Sequence, residues 1–107
     1  MASKVMIKKI RGEEVGEVTQ AADGQLLVKA YHPEIELELQ QLVETVSRQP
    51  LRYVYGTTEN VEGKIVHKTL GRTVNKGDPY YLEALADALS EPTVRLRGDR
   101  LQGQVIA

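Results

Sequence analysis

The side chains able to do chemistry are few and scattered. The two histidines, His32 and His67, stand far apart in the chain, and no His-Glu-x-x-His pair or EF-hand loop accompanies them. Glu34, Glu36 and Glu38 could attract a hard cation, but neighbouring helical acids splay around the axis instead of converging. They read as the solvated start of a helix, where the dipole favours negative charge. Zero cysteines exclude thiol catalysis, disulfide frameworks, iron–sulfur clusters and thiolate zinc sites. Ser3, Ser47 and Ser90 lie near a terminus or near helix ends, and none has the Gly-x-Ser-x-Gly setting of an activated nucleophile. No metal or other cofactor is expected, and catalysis is the weaker expectation.

One loop has a composition that suits anions. Gly71 to Asp78 is basic, carries two glycines and runs into Pro79 at the start of a helix. Helix starts present unpaired N–H groups and the positive dipole end. The glycine spacing matches neither a P-loop nor a dinucleotide fingerprint, however. Asp78 also puts a carboxylate where an anion would sit, as an N-cap does.

Charge layout is more suggestive than any motif. Lys+Arg total 14 against 15 Asp+Glu, which argues against a surface built wholly for nucleic acid or anionic membrane. Yet Lys64, Lys68, Arg72 and Lys76 occur with no acid among them, and Arg95, Arg97 and Arg100 with only Asp99. Tyr31 to Ser47 holds four glutamates and no basic residue. The chain reads as neutral but dipolar, and the seven basic residues are candidates for anion or nucleic-acid binding. Tyrosine is the only aromatic residue type. Tyr53 and Tyr55 share a strand face with Leu51 and read as core, whereas Tyr80 projects away from the apolar stripe of its helix. Tyr80 and Leu37, which also falls off its helix stripe, are the candidate interface residues.

The elements that must position these groups follow from periodicity. Lys4–Ile10, Glu14–Gln20 and Gln25–Tyr31 read as an antiparallel meander joined at Arg11-Gly12-Glu13 and at Asp23-Gly24, the latter a type I′ signal. A helix starts at His32-Pro33, with Ile35, Leu39, Leu42, Val43 and Val46 on one side, and ends before Pro50. Glu34–Leu39 alternates as a strand would, so the helix start can fall a few residues after Pro33. Leu51–Gly56 and Lys64–Leu70 read as strands around a polar loop at Thr57–Gly63, with a further short strand allowed in Gly71–Gly77. Asp78 caps a second helix bearing Leu82, Leu85, Ala86 and Leu89, which stops before Pro92. A last hairpin turns at Gly98-Asp99, with Arg95, Arg97, Arg100, Gln102 and Gln104 facing outward.

The expected fold is therefore α+β, a single domain over residues 1–107. An antiparallel sheet of short strands carries two helices on one face, in the order βββα-ββ(β)-α-ββ. The recurring proline–helix–proline–strand pattern raises an internal pseudo-duplication. Met1 to Ile10 interrupts its apolar residues with lysines, unlike a secretory signal, and no apolar run is long enough to span a membrane, so a cytoplasmic location is expected. Three function classes fit this object. The first is a protein-interaction or self-associating domain, with a homodimer among its forms. The second is a nucleic-acid-binding module using the basic loop and the Arg-bearing hairpin, and the third is a small enzyme acting on an anionic ligand.

Overall fold

The computed structural model describes residues 3–107. Alternating burial organises its amino-terminal third: β1 (Lys4–Lys9), β2 (Glu14–Gln20) and β3 (Leu26–Ala30) form a meander with Val5, Ile7 and Val18 fully buried on one side. The other side is solvated, and there Glu17 accepts from Lys4 Nζ at 3.0 Å and from the Tyr31 hydroxyl at 3.1 Å. The carboxyl-terminal strand β7 (Asp99–Ile106) adds beside β1, and the two-residue β6 (Arg95–Leu96) completes a five-stranded antiparallel sheet in the order β3-β2-β1-β7-β6.

Both helices cover the same face. A 3-10 turn at Pro33–Ile35 leads into α1 (Glu36–Ser47), which buries Leu39, Val43 and Val46. The helix α2 (Tyr81–Leu89) buries Leu82, Leu85 and Leu89. Each fully buried leucine contributes about 1.5–3 kcal/mol by leaving water. Two glycines let the helices approach the sheet. A Cβ at Gly16 would lie 2.5 Å from Leu39 Cδ2, and one at Gly103 would lie 2.7–2.8 Å from the backbone of Ala86. Ser90 fastens α2 at that point, its hydroxyl donating to Ala86 O at 2.8 Å and accepting the Gly103 N–H at 2.9 Å.

The α+β class and strand order agree with expectation, and several local details do not. The Asp23-Gly24 turn is not type I′, because only Gly24 has a positive φ, of 88°; Asp23 instead accepts the Gln25 N–H at 3.0 Å. The last hairpin turns at Arg97 (φ 51°) and Gly98 (φ 86°), one residue earlier than expected. Arg97 is consequently a turn residue and not part of the outward arginine stripe. Asp78 does not cap α2 directly; Tyr80 stands at that position, while Asp78 accepts the Tyr80 N–H at 2.9 Å. Nor does the sheet repeat itself. The strand after α1 leaves the main sheet and the strand after α2 joins it, so the proline pattern has no counterpart in topology.

The largest departure is the segment read as strand, polar loop and strand. It is a single hairpin of β4 (Leu51–Val61) and β5 (Lys64–Val74), paired without interruption from Leu51↔Val74 to Val61↔Lys64. Its turn is Glu62-Gly63, with φ of 51° and 83°, the two positive values of a type I′ hairpin. Eleven residues per strand extend about 37 Å, and the molecule measures 58 × 33 × 24 Å. Its radius of gyration is 15.6 Å, above the roughly 13 Å of a compact domain of this size. The excess is the arm.

A candidate interaction arm and the groove at its base

One arm face is anchored to the body. Tyr53 stacks on Tyr80 with ring centroids 4.4 Å apart and on Tyr55 at 5.5 Å. Arg72, opposite Tyr53 in register, holds its guanidinium 5.7 Å from the Tyr53 centroid and 5.9 Å from that of Tyr80. Its two terminal nitrogens both donate to the Asp78 carboxylate. That pairing, with the Tyr80 N–H, holds the Asp78 carboxyl below its ordinary range. The anion position expected beside Arg72 is thus filled by the chain's own Asp78. Tyr80 is 39% exposed, but its ring packs inward on the arm and anchors it.

Beyond the anchor the arm is solvated on both faces. Val54, Val61, Ile65, Val66 and Leu70 are 38–70% exposed, Ile65 the most. The face opposite the tyrosines looks onto a groove of about 610 Å³ between α1, α2 and the arm base. Leu42, Val46, Ala88 and Val94 supply its apolar lining, and Asp87 and Glu91 its charge. Burial, and then the nearby Glu91, push the Asp87 carboxyl above its ordinary range. No basic side chain forms an ion pair with Asp87 or Glu91 among the described residues.

The seven basic candidates do not form one patch. Lys64 flanks the arm turn, Lys68 pairs with Glu59 across the hairpin, and Arg72 is held by Asp78. Lys76 follows the arm, its carbonyl accepting from Gln20 Nε2 at 2.6 Å. Arg97 lies elsewhere, gripping the Glu38 carboxylate at 2.9–3.1 Å and the Glu34 carbonyl at 2.8 Å. That contact is at the first turn of α1, whereas the arm begins beyond its last turn; twelve helical residues put about 18 Å between them. Arg95 donates to Gly98 O at 3.0 Å and pairs in register with Arg100. Leu37 is 66% exposed near that same first turn, remote from Tyr80. The acidic helix start is therefore partly neutralised within the chain.

Charge nevertheless divides between arm and body. Residues 51–76 hold five Lys or Arg against two Glu, leaving nine against thirteen elsewhere, so the arm segment carries +3 and the remainder −4. Arg52, Val54, Ile65, Asp87 and Glu91 were absent from the sequence-level candidates; exposed apolar residues in a two-stranded run were the available signal. No helix is long and apolar enough to cross a membrane among the described residues. No protein-family model matches the chain, and neither does any curated protein or solved structure.

Proposed function

We propose that this chain is a small, non-catalytic interaction domain that self-associates through the β4–β5 arm, in the cytoplasm. The observation that carries the reading is the arm itself: a hairpin of two eleven-residue strands with apolar side chains exposed along both faces. A lone two-stranded hairpin is marginal in water, and apolar surface gathered on a projecting element is what a protein partner covers. The division of charge supports self-association, because a +3 arm meets a −4 body on any second copy.

A nucleic-acid reading keeps one observation in its favour, since a two-stranded ribbon fits a DNA major groove. Against it, Lys68 and Arg72 are engaged by Glu59 and Asp78, and Arg97 is at the far end of α1. Sedimentation velocity over a range of concentrations distinguishes the two. Self-association predicts a species heavier than the monomer that Ile65→Asp removes while the far-UV circular dichroism of the fold stays unchanged. A wild-type monomer at every concentration overturns the reading. So does an Ile65→Asp variant that associates as well as wild type.

A further inference from the structure

The arm tip carries Lys64, and the groove at the arm base carries Asp87 and Glu91, of opposite charge. Resting on the self-association reading, we infer that the arm docks antiparallel and face to face on the arm of a second copy, each tip reaching the other copy's α1–α2 groove. The pattern of side-chain size along the arm points to this register. On the groove-side face, the cross-strand pairs nearer the base, Val54↔Gly71 and Gly56↔Thr69, each contain a glycine. The pairs nearer the tip, Thr58↔His67 and Asn60↔Ile65, contain the ring and the most exposed aliphatic side chain. A two-fold axis at the level of Thr57↔Lys68 lays each glycine-bearing pair of one copy over a bulky pair of the other. There is room for this at Gly56, where an added Cβ would meet nothing within 4 Å, whereas at Gly71 an added Cβ would lie 2.9 Å from Arg52 Nη2, so the docking requires Arg52 to turn aside there.

The same axis carries the Glu62-Gly63 turn to the level of Leu51 and Arg52 in the second copy, which is where the groove lies. Glu62 thereby meets Arg52, whose guanidinium rests over Gly71. Lys64 arrives beside Asp87 and Glu91, the acids whose mutual repulsion a cation would relieve. The interface is isologous, so every such contact forms twice.

Area decides how much of this is required. A hairpin about 37 Å long and 10 Å wide offers about 370 Å² per face, so two stacked arms cover about 740 Å². A stable interface needs roughly 1,000 Å² or more. Arms alone fall short, so the docking requires the two tip-and-groove contacts as well.

The chain has no cysteine, so introduced thiols report only designed contacts. Val54→Cys and Ile65→Cys are made as separate full-length variants and treated, alone and mixed, with a short bismaleimide, because stacked sheets lie about 10 Å apart, beyond the roughly 7 Å Cα reach of a disulfide. The docking predicts a 54–65 cross-linked dimer in the mixture and little covalent dimer from either variant alone. Identical positions lie six levels apart, about 20 Å, out of reach of the short linker. Val54→Cys, Ile65→Cys in one chain should give a doubly bridged dimer. A sedimenting dimer with no 54–65 bridge, or with mainly 54–54 or 65–65 bridges, overturns the antiparallel docking and leaves self-association standing. A wild-type monomer throughout overturns both, as does a monomer whose arm binds labelled duplex DNA instead.

Discussion

Removing the aromatic anchor should loosen the arm by an amount the stacking geometry sets. Tyr53 lies between two rings, 4.4 Å from Tyr80 and 5.5 Å from Tyr55, whereas Tyr80 stacks on Tyr53 alone. Leucine preserves most of the apolar surface while deleting the ring, so Tyr80→Leu removes one stacking contact, worth about 0.5–1.5 kcal/mol beyond burial, together with the Arg72 guanidinium 5.9 Å from its centroid. Tyr53→Leu removes two such contacts and should cost about 1–3 kcal/mol. Because they share a contact, the double variant should lose less than the sum of the singles, with a coupling of about 0.5–1.5 kcal/mol. Urea unfolding followed by far-UV circular dichroism supplies the cycle, and hydrogen exchange of the Arg52–Thr73 amides shows where the loss occurs. Protection should fall along the arm and stay unchanged in β1, which is buried between β2 and β7. Additivity within about 0.3 kcal/mol would refute the stack as the anchor. A Tyr80→Leu variant costing more than Tyr53→Leu would refute the ring order.

Gly103→Ala should destabilise the body by about 1–3 kcal/mol, as overpacked cores do, because the new methyl meets the Ala86 backbone and not a movable side chain. A thermal melt within error of wild type would show that β7 yields more easily than argued. The pH profile is set by carboxyls held low: Glu17 by Lys4, Glu38 by Arg97 and Asp78 by Arg72. Their contribution is present above the ordinary carboxyl values of 4.5 for Glu and 3.8 for Asp, and is lost as pH falls through the lowered folded values. Asp87, raised by burial, works the other way and regains stability on protonation. Three groups against one predict a melting temperature that falls below about pH 4, and less steeply in Arg97→Gln; a rise on acidification would contradict the balance.

Much of the main sheet and both helices could be read from local pattern. Val5, Ile7 and Val18 alternate because one sheet face is buried, and Leu82, Leu85 and Leu89 recur at helical spacing because one helix face is. Leu37 stood off its stripe in the sequence and is exposed in the fold for the same reason. The arm escaped that logic. Periodicity records burial, and a hairpin wet on both faces has none to record, so Thr57–Gly63 resembled a loop although it is mostly strand. The I′ turn was obscured by Glu62, which lacks the asparagine or aspartate that normally announces one.

What the amino-acid sequence determined by itself was the α+β class, the helix faces and the alternation of basic and acidic segments, since each depends on neighbours along the chain. Which charges meet, and which do not, only the tertiary structure decided. Arg97 and Glu38 are 59 residues apart and share an ion pair, which holds Arg97 at the first turn of α1, a helix length from the arm that begins beyond its last turn. Coulombic contact depends on distance in space, and an antiparallel sheet whose strand order differs from chain order sets those distances through its topology. The dipole foreseen between helix and loop became a cationic arm against an anionic body, because folding neutralised much of the first and projected the second away from the core.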